Sequence, residues 1–231
     1  MIRGVILDVD GTLVDSNRLH AQAWFDAFGE AGLNGGTVLD LQRLIGMGSD
    51  RLIPAAVGRA GEGPEAERLG ERRAAIFREL YLPALRPTPG AAALVEALRD
   101  RGLGLAVASS ARADELRGLL EAAGVPWLAD RATSGDEVEE SKPEPDVIQA
   151  AVAELGLPAE EVVLIGDTPY DVEAGTRAGV TVIALRCGGW DNVSLREAAA
   201  VYQDPADLLE SLDASPLGAA QRPASGPPVS A

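Results

Sequence analysis

Two carboxylates one residue apart, Asp8 and Asp10, stand at the end of the apolar run Val5-Ile6-Leu7 and are followed by Gly11-Thr12. A continuous apolar run closed by turn residues reads as a buried parallel strand, and open α/β sheets bind ligands just beyond the carboxyl ends of such strands. Three further segments carry polar groups at comparable points. Ser109-Ser110 follows the apolar stretch 103–108, Asp167 and Asp171 follow the stretch 162–165, and Lys142 sits in Ser141-Lys142-Pro143. Lys142 is the only lysine, every other strongly basic residue being Arg. A lone compact ammonium points to a position where a planar guanidinium would not serve.

These residue types suit phosphoryl transfer. A phosphate ester is anionic, so a carboxylate reaches its phosphorus only when cations screen both partners, and hard oxygen ligands such as Asp8 and Asp167 suit Mg²⁺. Ser109, Ser110 and Lys142 are the candidates to hold phosphoryl oxygens. The paired acids can divide the work: Asp8 attacks phosphorus, while Asp10, kept protonated by its like-charged neighbour, delivers a proton to the leaving oxygen. Asp10 as a base can then activate water against the aspartyl phosphate. Asp167 and Asp171 are four residues apart across a strand-to-helix turn with Pro169 in the first helical turn, so both can reach one rim, although acids there also cap helices. Ser109 can likewise serve as a helix cap, and helix N-termini offer N–H groups to anions.

The elements that must position these groups follow from periodicity. After the first strand come helical patterns at 18–32, 38–45, 50–57 and 64–82, which together read as a small helical domain. Trp24, Phe25 and Phe28 are expected to pack its core, and Asp15-Ser16-Asn17 to cap its first helix. The Pro- and Gly-punctuated stretch 86–90 marks a boundary, after which helices (91–101, 113–123, 147–155, 172–178) alternate with strands (103–108, 131–133, 162–165, 180–185). That alternation implies a parallel sheet with right-handed crossovers. Residues 213–231, rich in Pro, Ala, Ser and Gly, read as a disordered tail.

The 231-residue chain is 46% hydrophobic and 24% charged, an ordinary globular profile. Its net charge of −16 opposes non-specific attraction to nucleic acid or anionic membranes, so an anionic substrate must be drawn in by local cations. Cys187 is the only cysteine, which rules out an internal disulfide, and no stretch reads as a leader or a membrane span. A cytoplasmic monomer is expected. His20, the only histidine, lies at the start of the helical segment, where it could meet a leaving group. The loop Leu44-Ile45-Gly46-Met47-Gly48-Ser49-Asp50-Arg51 is the candidate specificity loop, with Gly46 permitting close approach and Arg51 reaching an anionic group.

The order and placing of Asp8-Val9-Asp10-Gly11-Thr12, Ser109, Lys142 and Gly166-Asp167 through Asp171 resemble the four signatures of the haloacid dehalogenase-like hydrolases, over residues 2–212. The resemblance implies an α/β fold: a Rossmann-like parallel-sheet core (1–15 and 85–212) with an inserted all-helical cap (16–84), similar to the phosphoglycolate phosphatase and β-phosphoglucomutase branch. It also implies an aspartyl-phosphate route, with Mg²⁺ held by Asp8, the backbone carbonyl of Asp10, and Asp167; Asp171, four residues after Asp167 in the same acidic pair, is a further candidate metal ligand. Dehalogenases of the family lack the second Asp of the first signature, so Asp10 argues for phosphate chemistry. The expected activity is a Mg²⁺-dependent phosphatase acting on a small phosphorylated metabolite. The alternatives are a phosphomutase of the same branch and a non-catalytic phosphate-binding regulatory protein.

Overall fold

The computed structural model describes residues 1–135 and 140–218; the rest of the expected tail, 219–231, lies outside the described residues. Among these, six parallel strands form one sheet: β1 (Gly4–Leu7), β2 (Gly104–Ala108), β3 (Ala132–Thr133), β4 (Val162–Gly166), β5 (Thr181–Leu185) and β6 (Ala200–Tyr202), in the order β3-β2-β1-β4-β5-β6. Strand order reverses between β1 and β4, and a doubly wound sheet opens its ligand crevice at such a point. Asp8 leaves the end of β1 and Asp167 the end of β4, with Leu7 and Ile165 in register. The topology alone brings the two acids together.

Strand side chains alternate between the faces of the sheet. Val5, Leu7, Leu105, Val107, Val163 and Ile165 enter one cluster, covered by α5 (Ala91–Asp100), α6 (Ala113–Ala122) and α9 (Pro205–Glu210). Ile6, Ala106, Ala108, Val162 and Leu164 enter the other, covered by α7 (Asp146–Leu155) and α8 (Pro169–Ala178). Helix α8 begins three residues before the apolar pattern that predicts it, because Thr168 and Asp171 form a reciprocal capping box and Pro169 occupies the first turn.

Between β1 and β2 run α1 (Asn17–Glu30), α2 (Val38–Gln42), α3 (Ser49–Val57) and α4 (Pro64–Ile76), the last continued by a π turn at Phe77–Tyr81. They share a separate apolar cluster built on Trp24, Phe28, Leu41, Leu52, Ile53 and Leu69. Phe25, expected in that core, is instead 44% exposed. Helix α1 serves two cores: Trp24 and Phe28 face the helical cluster, while Ala23 and Ala27 pack with Phe77 against the sheet side.

The expected tail starts too early. Residues 213–218 continue from α9 as turns, and Leu217 is fully buried in the sheet-face cluster, with its N–H donated to the Ser215 hydroxyl (3.1 Å). One leucine in a Pro- and Ser-rich stretch is too little apolar pattern to register in sequence, yet it fills a core site. Leu217→Ala is expected to destabilise the protein by about 2–5 kcal/mol, seen as a lower urea midpoint at unchanged slope. A midpoint unmoved by the substitution would show that the segment is not docked.

Candidate active site

Four carboxylates, one ammonium and one imidazole converge where β1 and β4 end. Lys142 is 1% exposed, and its Nζ donates to Asp8 Oδ1 (2.6 Å) and to the Ala108 carbonyl at the end of β2 (3.1 Å), and pairs with Asp171 Oδ1 (2.8 Å). Burial works against its charge, but the fields of Asp171 and Asp8 prevail and its pKa is raised. The only lysine therefore occupies a closed three-oxygen pocket that suits an ammonium.

Carboxylate oxygens of Asp8, Asp167 and Asp171 all lie within 4.8 Å of one another. Burial pushes the Asp8 carboxyl up to about 7, with Lys142 opposing and Asp171 and Asp10 adding to the rise. Burial, together with Asp8 and Asp171, also carries Asp167 well above the usual carboxylate range, although Thr12 Oγ1 (3.0 Å) and Asn17 Nδ2 (2.8 Å) donate to its two oxygens. Three buried acids against one ammonium are short of positive charge, and an oxygen-only donor set of this kind fits a hard divalent cation. Asp171 is the least available of the three. Its Oδ2 accepts from the Thr168 N–H (3.0 Å) and hydroxyl (2.6 Å), and its Oδ1 faces Lys142. It anchors Lys142 and starts α8 while standing within the three-acid cluster.

Gly11 and Gly188 press directly on Asp167. A Cβ at Gly188 would lie 1.6 Å from Asp167 Oδ2, and one at Gly11, where φ is +77°, would lie 2.3 Å from the same oxygen. Asn17, expected only to cap α1, also donates to the Gly188 carbonyl (3.3 Å).

Asp10 is positioned differently. Ser16 Oγ (2.6 Å) and His20 Nε2 (2.7 Å) both donate to its Oδ1. Although burial raises its pKa, His20, Ser16 and Arg73 outweigh that and hold it below the ordinary range. These donors touch Asp10 directly and oppose the like-charge effect expected to keep it protonated. Ser16, expected to cap α1, makes no side-chain cap bond and serves Asp10 instead.

His20 is buried, stacked on Phe77 with ring centroids 3.9 Å apart. Arg73 Nη1 lies 3.4 Å from His20 Nδ1, and because a guanidinium only donates, that contact suits the tautomer with its proton on Nε2. The same Nη1 donates to both oxygens of Glu115 (2.9 Å each), and Glu115 is 1% exposed. Neither residue is evident in the sequence, because Glu115 in the first turn of α6 reads as a helix-dipole complement and Arg73 as one of many surface arginines.

Asp8, Asp10, His20, Gly46, Arg73, Ser109, Ser110 and Glu115 line one cavity of about 450 Å³ including its mouth, walled on the helical side by Trp24, Ile45, Met47 and Leu52. Ser109 is buried and its Oγ accepts from the Ala111 N–H (3.0 Å), a local turn bond rather than the expected helix cap, because α6 starts at Ala113 with Arg112 as its N-cap. The Ser110 hydroxyl donates to the Gly46 carbonyl (3.0 Å), so it ties the loop to the core. Gly46 has φ +107°, and a Cβ there would lie 3.0 Å from Thr168, so the expected close approach is real but is made to protein. Arg51 does not line this cavity. It pairs with Glu140 (2.6 Å) and Glu144 (3.3 Å). The Cys187 thiol donates to the Gly11 carbonyl (3.1 Å), and burial with Asp167 and Asp204 raises its pKa, which disfavours a thiolate.

The family model described as haloacid dehalogenase-like hydrolase matches residues 5–185. The chain is 31% identical to a phosphoglycolate phosphatase of Rhodospirillum rubrum, covering 90% of each sequence. It is 29% identical to one of Aquifex aeolicus, over 92% of this chain and 97% of the relative. Among solved structures, a hydrolase from Pseudomonas syringae superposes with a TM-score of 0.83 at 32% identity, covering 91% of this chain and 98% of that one.

Proposed function

For a chain that belongs to the haloacid dehalogenase-like hydrolases, in their phosphoglycolate phosphatase and β-phosphoglucomutase-like branch, and is a phosphoric monoester hydrolase, we propose Mg²⁺-dependent hydrolysis of a small phosphorylated metabolite through an aspartyl phosphate on Asp8. The observation that carries this is the buried cluster of Asp8, Asp167 and Asp171 around the single ammonium of Lys142.

Asp8 and Asp167 are the side chains that would hold Mg²⁺, with the backbone carbonyl of Asp10. When bound, the ion supplies the positive charge that lets a carboxylate and a phosphate approach each other. Lys142 holds Asp8 Oδ1, which leaves Oδ2 to attack phosphorus, and Ser109 is placed to meet a phosphoryl oxygen. Both donors to Asp10 fall on Oδ1, leaving Oδ2 for the reacting oxygen. The donors that hold its carboxyl low favour Asp10 as the base that activates water against the aspartyl phosphate. To act as acid toward the leaving oxygen it must first take up a proton. The helical unit is the cap, joined to the core rim by Ser110 to Gly46 and by the Tyr170 hydroxyl donating to the Arg43 carbonyl (2.7 Å). Its closure keeps bulk water from the reacting ester. A monomer in the cytoplasm completes the reading, in keeping with a lone cysteine that packs against Gly11.

The test is phosphate release from a panel of alkyl phosphates and p-nitrophenyl phosphate, with and without Mg²⁺. Asp10→Asn is expected to lower turnover of the alkyl esters by about 10²–10⁴-fold. With p-nitrophenyl phosphate, whose phenolate leaves unprotonated, the variant should give a stoichiometric burst before slow turnover. Equal loss on both ester types with no burst would remove Asp10 from its assigned role.

A further inference from the structure

The cap side of the cavity lacks a free cation. Among the described residues that line it, Arg73 and His20 are the only basic ones. Arg73 is held at 2.9 Å by both oxygens of buried Glu115, with its guanidinium 5.3 Å from the Trp24 ring centroid. His20 is bound through Nε2 to Asp10. Arg51, in the first turn of α3, is turned to Glu140 and Glu144. What remains on that side is an apolar wall of Trp24, Ile45, Met47 and Leu52. Lys142 is enclosed by Asp8, Asp171 and the Ala108 carbonyl, on the side of the transferred phosphate.

We infer that the site selects phosphate esters whose leaving group is uncharged and offers an apolar face, and that the Arg73–Glu115 pair is what makes it disfavour leaving groups bearing a second anion. The inference rests on the phosphatase reading above and narrows its substrate class. A carboxylate or second phosphate placed in this cavity would be desolvated opposite Asp10 and Glu115, with the one guanidinium of the wall already neutralised by Glu115, and a poorly paired buried charge is strongly disfavoured. A hydroxyl meets no such penalty.

Two esters that differ only at this point provide the test: 2-hydroxyethyl phosphate and phosphoglycolate, compared by kcat/KM on the full chain with Mg²⁺. The wild type is expected to favour the hydroxyethyl ester by about tenfold or more, the scale of one hydrogen bond to a charged group. Glu115→Gln, which releases Arg73 from its carboxylate, should move the ratio toward phosphoglycolate by a similar factor. Met47→Lys adds a cation to the same wall from a partly exposed loop position, and should shift the ratio the same way even if the buried Glu115 variant folds poorly. A wild-type preference for phosphoglycolate, or a ratio unmoved by both variants, overturns the inference. If neither ester is turned over, it is the phosphatase reading that fails, and calorimetric binding of the same two esters to the wild type decides the preference.

Discussion

Lys142→Met is expected to abolish phosphatase activity and to cost about 3–5 kcal/mol of stability, the usual penalty for removing one partner of a buried ion pair. The substitution keeps the length of the side chain but leaves Asp8 and Asp171 facing one another across an apolar thioether, with Asp167 alongside. The Ala108 carbonyl loses its 3.1 Å donor as well. Lys142→Arg should rescue little, because a fully enclosed pocket fitted to a single nitrogen with three oxygens cannot admit a planar fork. Urea unfolding and steady-state turnover measure the two effects separately. Wild-type stability in Lys142→Met would mean that the cluster is not the charged arrangement described here.

Asp8→Asn should lower turnover by at least about 10⁴-fold while the protein stays folded. The amide keeps the shape of the carboxyl and removes one of three crowded negative charges, and Lys142 retains Asp171 at 2.8 Å. Its unfolding free energy is therefore expected to stay within about 1 kcal/mol of wild type. Loss of activity with the fold retained separates a nucleophile from a structural acid. Activity retained in Asp8→Asn would exclude the aspartyl-phosphate route.

The acids of the cluster and Lys142 were legible in sequence because each marks an abrupt change of local character. Asp8 and Asp167 end continuous apolar strands, and Lys142 is the only residue of its type. The edge of the sheet was not legible: β6 has only three half-buried residues, and α9 is barely more than a turn. What surrounds the acids was hidden for another reason. Asn17 and Ser16 look like helix caps because their types fit that role locally, and only the tertiary fold brings them to Asp167 and Asp10. That Arg73 and not Arg51 lines the cavity has the same origin. Which arginine of the helical unit turns inward depends on how α3 and α4 pack, and a sequence crowded with arginine carries no mark of it.

The central position of β1 also sets when the site can come into being. Gly4 pairs with Gly104 on one side and with Val162 on the other, so β1 acquires its second neighbour only after the chain has been made through β4. Closing such distant pairings is slow, and in the interval Val5, Ile6 and Leu7 are an unpaired apolar segment. A nascent or truncated chain that stops before Val162–Gly166 bears Asp8 on an exposed sticky edge and has no acid cluster to join. Such fragments are aggregation hazards without catalytic capacity, and the enzyme is competent only once the last strand beside β1 has docked.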